Sequence, residues 1–198
     1  MAEPESPLAG VPAIVGPRLV LVEMPWRAKV TVRGRDGDPA LVAGVTAALG
    51  TAPPLEPNRT SRAGTRTVLW LGPGEWRVVG PPHDEAAIID ALQRTVPRSM
   101  AAITDVSDCY TILRLAGAGA RDLLAEGCPL DLHPRAFSVS HCAQSLLAKT
   151  DILLHQIDAT PTFDLQVRWS HAAYLWEWLK DAAATSQADA VTAAKTRR

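Results

Sequence analysis

The sequence predicts an α+β fold in which antiparallel hairpins and amphipathic helices are mixed along the chain. Three observations carry this reading. Arg66 to Leu71 and Glu75 to Gly80 flank the turn Gly72-Pro73-Gly74, with Val68 and Trp70 on one face and Trp76 and Val78 sharing a face by period-two alternation. A turn that short joins antiparallel strands. Apolar stripes at helical spacing recur between the strand runs, at Leu41, Val42, Val45 and Leu49 and again at Ala172, Leu175, Trp176 and Leu179. Helices and hairpins in the same regions exclude a doubly wound parallel sheet.

In chain order, residues 1–18 are rich in Pro, Gly and Ala and are expected to form a loosely held arm that orders against a partner. Leu19 to Val22 and Ala28 to Val32 are expected strands, separated by Pro25. Asp38 is an N-cap with Pro39 at the first helical position, and Gly50 sits where a helix-ending glycine belongs. Thr51 to Ala63 is expected to be a long loop, mobile or ordered by a partner. Beyond the first hairpin, Asp84 to Thr95 has Ile88, Ile89 and Leu92 at helical spacing and is closed by Pro97.

The second half repeats the mixture. Ala102 to Val106 and Thr111 to Leu115 are strands, Gly117 to Ala125 a helix, and Gly127-Cys128-Pro129 its breaker. His141 to Lys149 and Asp151 to Gln156 form a further hairpin. Phe163, Leu165 and Val167 alternate with Asp164, Gln166 and Arg168, which predicts a strand with one wet face. Ser170 is the expected cap of the last helix, and the Ala-rich tail 184–198 lacks an apolar face and is expected to be disordered.

Composition narrows the function classes. Twenty basic and 21 acidic residues leave a net charge of -1, and the only cationic cluster is Lys195, Arg197 and Arg198. A nucleic-acid binder carries a basic face or arm, so that class is excluded. No apolar run approaches the roughly 18–20 residues of a membrane span. Met1 to Gly10 carries Glu3 and Glu5 and not the basic start of a signal peptide. Cys109, Cys128 and Cys142 fit no zinc or CxxC spacing and are expected to be reduced thiols, in keeping with a cytoplasmic protein. The sequon at Asn58 then has no role.

The search for chemistry returns few candidates. Gly117-Ala118-Gly119 follows a strand, yet Asp122 occupies the third glycine position of a dinucleotide loop. His83, His133, His141, His155 and His171 show no metalloprotease spacing, and His83 and His171 are expected at the surface near helix starts. His141 and Cys142 are neighbours whose side chains would point to opposite faces of a strand. Cys128, in a loop, is the expected accessible thiol. Six tryptophans are many beside two Phe and two Tyr. Trp70, Trp76 and Trp176 fit core faces, whereas Trp26, Trp169 and Trp178 either lie half-buried under loops or form a partner surface. No catalytic, cofactor-binding or metal-binding residue is assigned.

Several stretches carry a likeness. Thr67 to Trp76, Asp105-Val106-Ser107 with Leu113-Arg114-Leu115, Arg121 to Pro134, Ala143 to Lys149 and Tyr174 to Leu179 together resemble the sarcosine oxidase gamma subunit family, from about residue 25 to 183. That family is similar to the N-terminal folate-binding domain of glycine-cleavage aminomethyltransferases. The resemblance implies an aminomethyltransferase-like domain over 19–183, with lobes of about 19–100 and 101–183. It implies a non-catalytic subunit in a heterotetramer with alpha, beta and delta partners. There FAD, FMN, NAD and tetrahydrofolate belong to the partner subunits, and the complex oxidises sarcosine to glycine with hydrogen peroxide as product. A stand-alone tetrahydrofolate-binding one-carbon protein is the alternative, and Asp131 would be its folate contact. The aminomethyltransferase Asn-Asp pair reads Leu130-Asp131 here, so half of that signature is missing. Glu126-Gly127-Cys128 likewise departs from the Lys-Gly-Cys motif of the iron–sulfur-assembly branch.

Overall fold

The computed structural model describes residues 5–196, with side chains as far as Thr185. Among the described residues eleven strands form two antiparallel sheets. Strands β1 (Ile14–Val15), β2 (Val20–Glu23), β8 (Tyr110–Ala116), β11 (Thr162–Arg168), β10 (Thr150–Asp158) and β9 (Cys142–Leu147) make a six-stranded sheet in that order. Strands β4 (Thr60–Ala63), β5 (Arg66–Gly72), β6 (Glu75–Pro82), β3 (Arg27–Gly34) and β7 (Ala101–Asp105) make the other. Chain order does not follow sheet order: β2 pairs with β8, and β7 returns to pair with β3.

Each sheet buries one face under helices. Helices α1 (Pro39–Leu49) and α2 (Glu85–Thr95) pack on the five-stranded sheet, where Leu41, Val45, Ile88 and Leu92 meet Val30, Val68, Trp76 and Val78. Helices α3 (Ala120–Ala125) and α4 (Ala172–Thr196) cover the six-stranded sheet, where Leu123, Leu175 and Leu179 meet Leu115, Phe163 and Leu165. The remaining faces meet each other through Leu69, Val79, Ile112, Cys142 and Leu153. The layers therefore run helix, sheet, sheet, helix.

Local chemistry explains the elements that position this stack. The Asp38 carboxylate accepts from the N–H groups of Ala40 and Leu41 at 2.9 and 3.2 Å, and Gly50 closes α1 at φ 74°. Gly44 lets the two outer helices touch. A Cβ there would stand 2.7 Å from the Thr95 carbonyl oxygen, and the Thr95 hydroxyl donates to the Gly44 carbonyl at 2.8 Å.

Five expectations need correction. The arm is held at two points: Leu8 joins the core and β1 pairs with β2 at the edge of the larger sheet, while residues 9–13 between them are exposed. The start of the arm lies outside the described residues. The loop after α1 is tied down. The Trp76 indole N–H donates to the Pro54 carbonyl at 2.7 Å, and the loop's last residues pair as β4. Ser170 lies in a 3-10 turn, Trp169–His171, ahead of α4, and makes no cap bond. The tail's residues beyond Thr185 are helical up to Thr196, with side chains outside the described set. Finally, the expected wet face of β11 is exposed only at Arg168. Asp164 and Gln166 are buried, at 7% and 2% exposure, because their side of the strand faces the second sheet.

Candidate functional site

That inter-sheet layer is unusually polar for a buried surface. Lys29, Arg77, Asp164 and Gln166 all lie within it. Buried polar groups persist where they are hydrogen-bonded, and Arg77 meets this condition. It donates to Thr31 Oγ1 at 3.0 Å and to Gln166 Oε1 at 3.3 Å, and its guanidinium carbon sits 4.6 Å from the centre of the Tyr110 ring. Arg168 approaches the same ring at 5.6 Å. Burial, joined by the nearby Arg77 charge, pushes the Lys29 ammonium down to about 8.

Two hollows open in this layer. A groove of about 530 Å³ is lined by Leu71, Arg77, Tyr110, Ser145, Gln166 and Arg168. A smaller cavity of about 170 Å³ is lined by Arg27, Arg62, Arg114, His155, Asp164 and Gln166, among others. In it Arg114 grips Asp164 through two guanidinium nitrogens, Nε and Nη2, at 2.7 and 2.9 Å. The hydrogen bond to Asp164 holds the Arg114 guanidinium above its ordinary pKa. Burial pushes the His155 ring down to about 4, so it is neutral at physiological pH.

The residues singled out in the sequence are not brought together. Asp131 is exposed and its carboxylate accepts from the His133 backbone N–H at 2.9 Å, which makes it a loop cap outside both hollows. Gly117 takes φ 117° and, with Gly119, allows the backbone of Arg18 to pass. A Cβ on Gly117 would lie 2.3 Å from the Arg18 carbonyl oxygen, and α3, at six residues, is too short to present a phosphate cradle.

The thiols are placed differently from expectation: Cys128 is buried, under α3, and Cys109 is the exposed one. Cys142 is buried between the sheets. Burial pushes its thiol up to about 12, which removes it as a nucleophile near neutral pH. His141 precedes β9 and points elsewhere. Its ring accepts from or donates to the Ser138 hydroxyl at 2.9 Å, and Arg59 lies 2.6 Å from its Nε2. A serine–histidine pair acting as nucleophile and base needs a carboxylate at the second nitrogen. An arginine stands there instead. His83 and His171 are exposed as expected, the latter bonded to Thr150. Among the described residues no group of three or more His, Cys, Asp or Glu is placed to hold a metal ion. No helix among them is long and apolar enough to cross a membrane.

The unassigned tryptophans divide into two kinds. Trp178 packs on the core over Gly127. Trp26 and Trp169, half-exposed, meet at 6.0 Å between ring centres, and His83 stacks on Trp26 at 6.2 Å. Trp26 and His83 both hold positive φ, 59° and 61°. Such backbone in non-glycine residues costs on the order of 1–3 kcal/mol and gathers at functional surfaces. The sequence signalled this patch only as a surplus of Trp.

A model of the sarcosine oxidase gamma subunit family matches residues 33–185. The chain is similar to the sarcosine oxidase subunit gamma of an Arthrobacter species, at 34% identity over 137 residues, 69% of this chain and 66% of that relative's length. Its structure is similar to a chain of the heterotetrameric sarcosine oxidase of Corynebacterium sp. U-96, at a TM-score of 0.84 and 27% identity, covering 92% of this chain and 95% of that one. The aminomethyltransferase T of the Bartonella henselae glycine cleavage system shares the fold, at a TM-score of 0.63 and 16% identity over 82% of this chain and 45% of that one.

Proposed function

The chain belongs to the sarcosine oxidase gamma subunit family, and on that premise we propose that it is the non-catalytic gamma subunit of a cytoplasmic heterotetrameric sarcosine oxidase. In this reading the alpha, beta and delta partners carry FAD, FMN, NAD and tetrahydrofolate, and the assembled complex oxidises sarcosine to glycine, forms hydrogen peroxide and passes on the one-carbon unit. The observation that carries the proposal is the end-to-end likeness to a chain of a heterotetrameric sarcosine oxidase. The placement of Asp131 as an exposed loop cap gives no support to a stand-alone folate protein.

The docking face is the half-exposed cluster of Trp26, His83 and Trp169. Tryptophans dominate interface energetics, and truncating one at a hot spot costs about 2 kcal/mol or more, roughly a thirtyfold loss in affinity. Co-expression with the large flavin-carrying subunit, followed by size-exclusion chromatography, tests this. The chain is expected to co-elute with flavin absorbance, and Trp169→Ala is expected to lower the co-eluting fraction while leaving the lone chain's circular dichroism unchanged. A stable monomer that never co-elutes with a flavoprotein contradicts the proposal.

A further inference from the structure

The 170 Å³ cavity between the sheets is built from residues far apart in the chain: Arg27 on β3, Arg62 on β4, Arg114 on β8, and His155 and Asp164 on β10 and β11. Three guanidiniums face one carboxylate, so two positive charges have no counter-charge within the wall. The single acid is already taken, because both Asp164 oxygens are held by Arg114. Arg62 uses its Nε on the Gly64 carbonyl at 3.0 Å, and no carboxylate among the described residues pairs with its terminal nitrogens. The Arg27 guanidinium makes no hydrogen bond among the described residues, although it lines the cavity and carries up to five N–H donors.

Arg27 and Arg114 are half-buried and Arg62 stands exposed at the rim; drawing the first two away from bulk water is costly unless an anion joins them. Burial, with Arg114 and Arg62 adding repulsion against the attraction of Asp164, lowers the Arg27 pKa from its ordinary value, as expected for a cation short of an anionic partner. The neutral His155 ring supplies one further N–H donor without adding charge. Size restricts the occupant. At ~30 Å³ per water, the cavity has room for roughly six waters, and it falls below the range of about 300–1,000 Å³ typical of pockets for drug-sized ligands.

We propose that this cavity is a binding site for a small oxyanion, a phosphate or a short carboxylate, held by the Arg27 and Arg62 guanidiniums. Arg114 keeps its fork on Asp164 and fixes the wall, and the threonine hydroxyls of Thr60 and Thr67 complete the polar lining. Planar guanidiniums match the geometry of carboxylate and phosphate oxygens. The site uses none of the side chains assigned to docking, although Arg27 directly follows Trp26, and it does not depend on the subunit role.

The test is a titration of the full-length chain, or of the complex containing it, with sodium phosphate and separately with sodium acetate, at constant ionic strength set by chloride. Thermal melting and isothermal calorimetry are read for each anion. Phosphate is expected to raise the melting temperature saturably, and Arg27→Gln to weaken its binding on the order of tenfold or more, since a hydrogen bond to a charged group is lost. Arg62→Gln is expected to act in the same direction, which covers the case of one variant folding poorly. Arg33→Gln, on the same strand but exposed, is expected to leave the affinity unchanged. Saturable binding of acetate in place of phosphate, with the same dependence on Arg27, supports the site and assigns its natural occupant to the carboxylates. No saturable response to either anion, or the same response in wild type, Arg27→Gln and Arg62→Gln, overturns the proposal.

Discussion

Trp76→Ala is expected to destabilise the chain by about 3–5 kcal/mol, the range for deleting a large buried aromatic. Trp76 is 1% exposed and packs among Val30, Val68, Val78 and the inward faces of α1 and α2. Its indole N–H also donates to the Pro54 carbonyl and so anchors the loop between α1 and β4. That loop joins the two sheets: the Cys142 N–H donates to the Asn58 carbonyl at 2.9 Å, and Arg59 forms a β-bridge with His141. Removal of the indole therefore opens a core cavity and releases a strap between layers. Urea unfolding followed by circular dichroism should show a lower midpoint, and limited proteolysis should cut between Pro54 and Asn58. Trp76→Phe keeps most of the packing and loses only the indole donor, so it should cost about 1–3 kcal/mol. An unchanged midpoint in Trp76→Ala would show that the indole does not carry this load.

Acid should destabilise the fold through His155. Its ring titrates at about 4 in the folded chain, against 6.5 in the unfolded one, because burial disfavours the imidazolium and Arg114 and Arg62 repel it, with Asp164 opposing them. A base whose folded pKa is depressed stays neutral in the fold while the unfolded chain takes up a proton. The stability tied to the neutral ring is thus complete above about pH 6.5 and is lost as pH falls from there through about 4. At 1.36 kcal/mol per tenfold change in proton affinity, the loss is on the order of 3 kcal/mol. His155→Gln removes the titrating group, so its unfolding free energy should fall less steeply over that window than the wild type's. Carboxylates that titrate in the same range are common to both proteins and cancel in the comparison. Parallel curves for the two proteins would mean that His155 is not held neutral.

The local elements were legible because their signals are local. Asp38, Pro39 and Gly50 bracket α1 within one residue of its observed ends, and Gly72-Pro73-Gly74 marks the β5–β6 hairpin. Pairing across the chain was not legible. Nothing in the period-two pattern of Val20 to Glu23 says that it will meet Leu113 to Ala116, or that Ala101 to Asp105 will return to β3. The polar side of β11 shows the same limit. Alternation tells which residues share a face, not whether that face meets water or a second sheet. Once the sheet–sheet contact forms, Asp164 and Gln166 are buried with arginine partners.

The cavity was hidden for a related reason. Arg27, Arg62 and Arg114 sit on three separate strands of two sheets, so no motif spacing links them. The aromatic patch proposed for docking left a trace in composition, as more tryptophan than the core faces could absorb, but only the fold placed Trp26 beside Trp169. Cys128 was misplaced because a loop position was equated with exposure. The turn after α3 tucks under α4, and its thiol lies beside Ser145 at 3.8 Å.

The work assigned to this chain is docking, and turnover tests that assignment most directly. Purified alone and supplied with sarcosine, oxygen and tetrahydrofolate, the chain should form no hydrogen peroxide. Added to the alpha, beta and delta subunits, it should raise the yield of assembled, active complex. Peroxide formation by the lone chain, above that of a buffer control, would contradict the account.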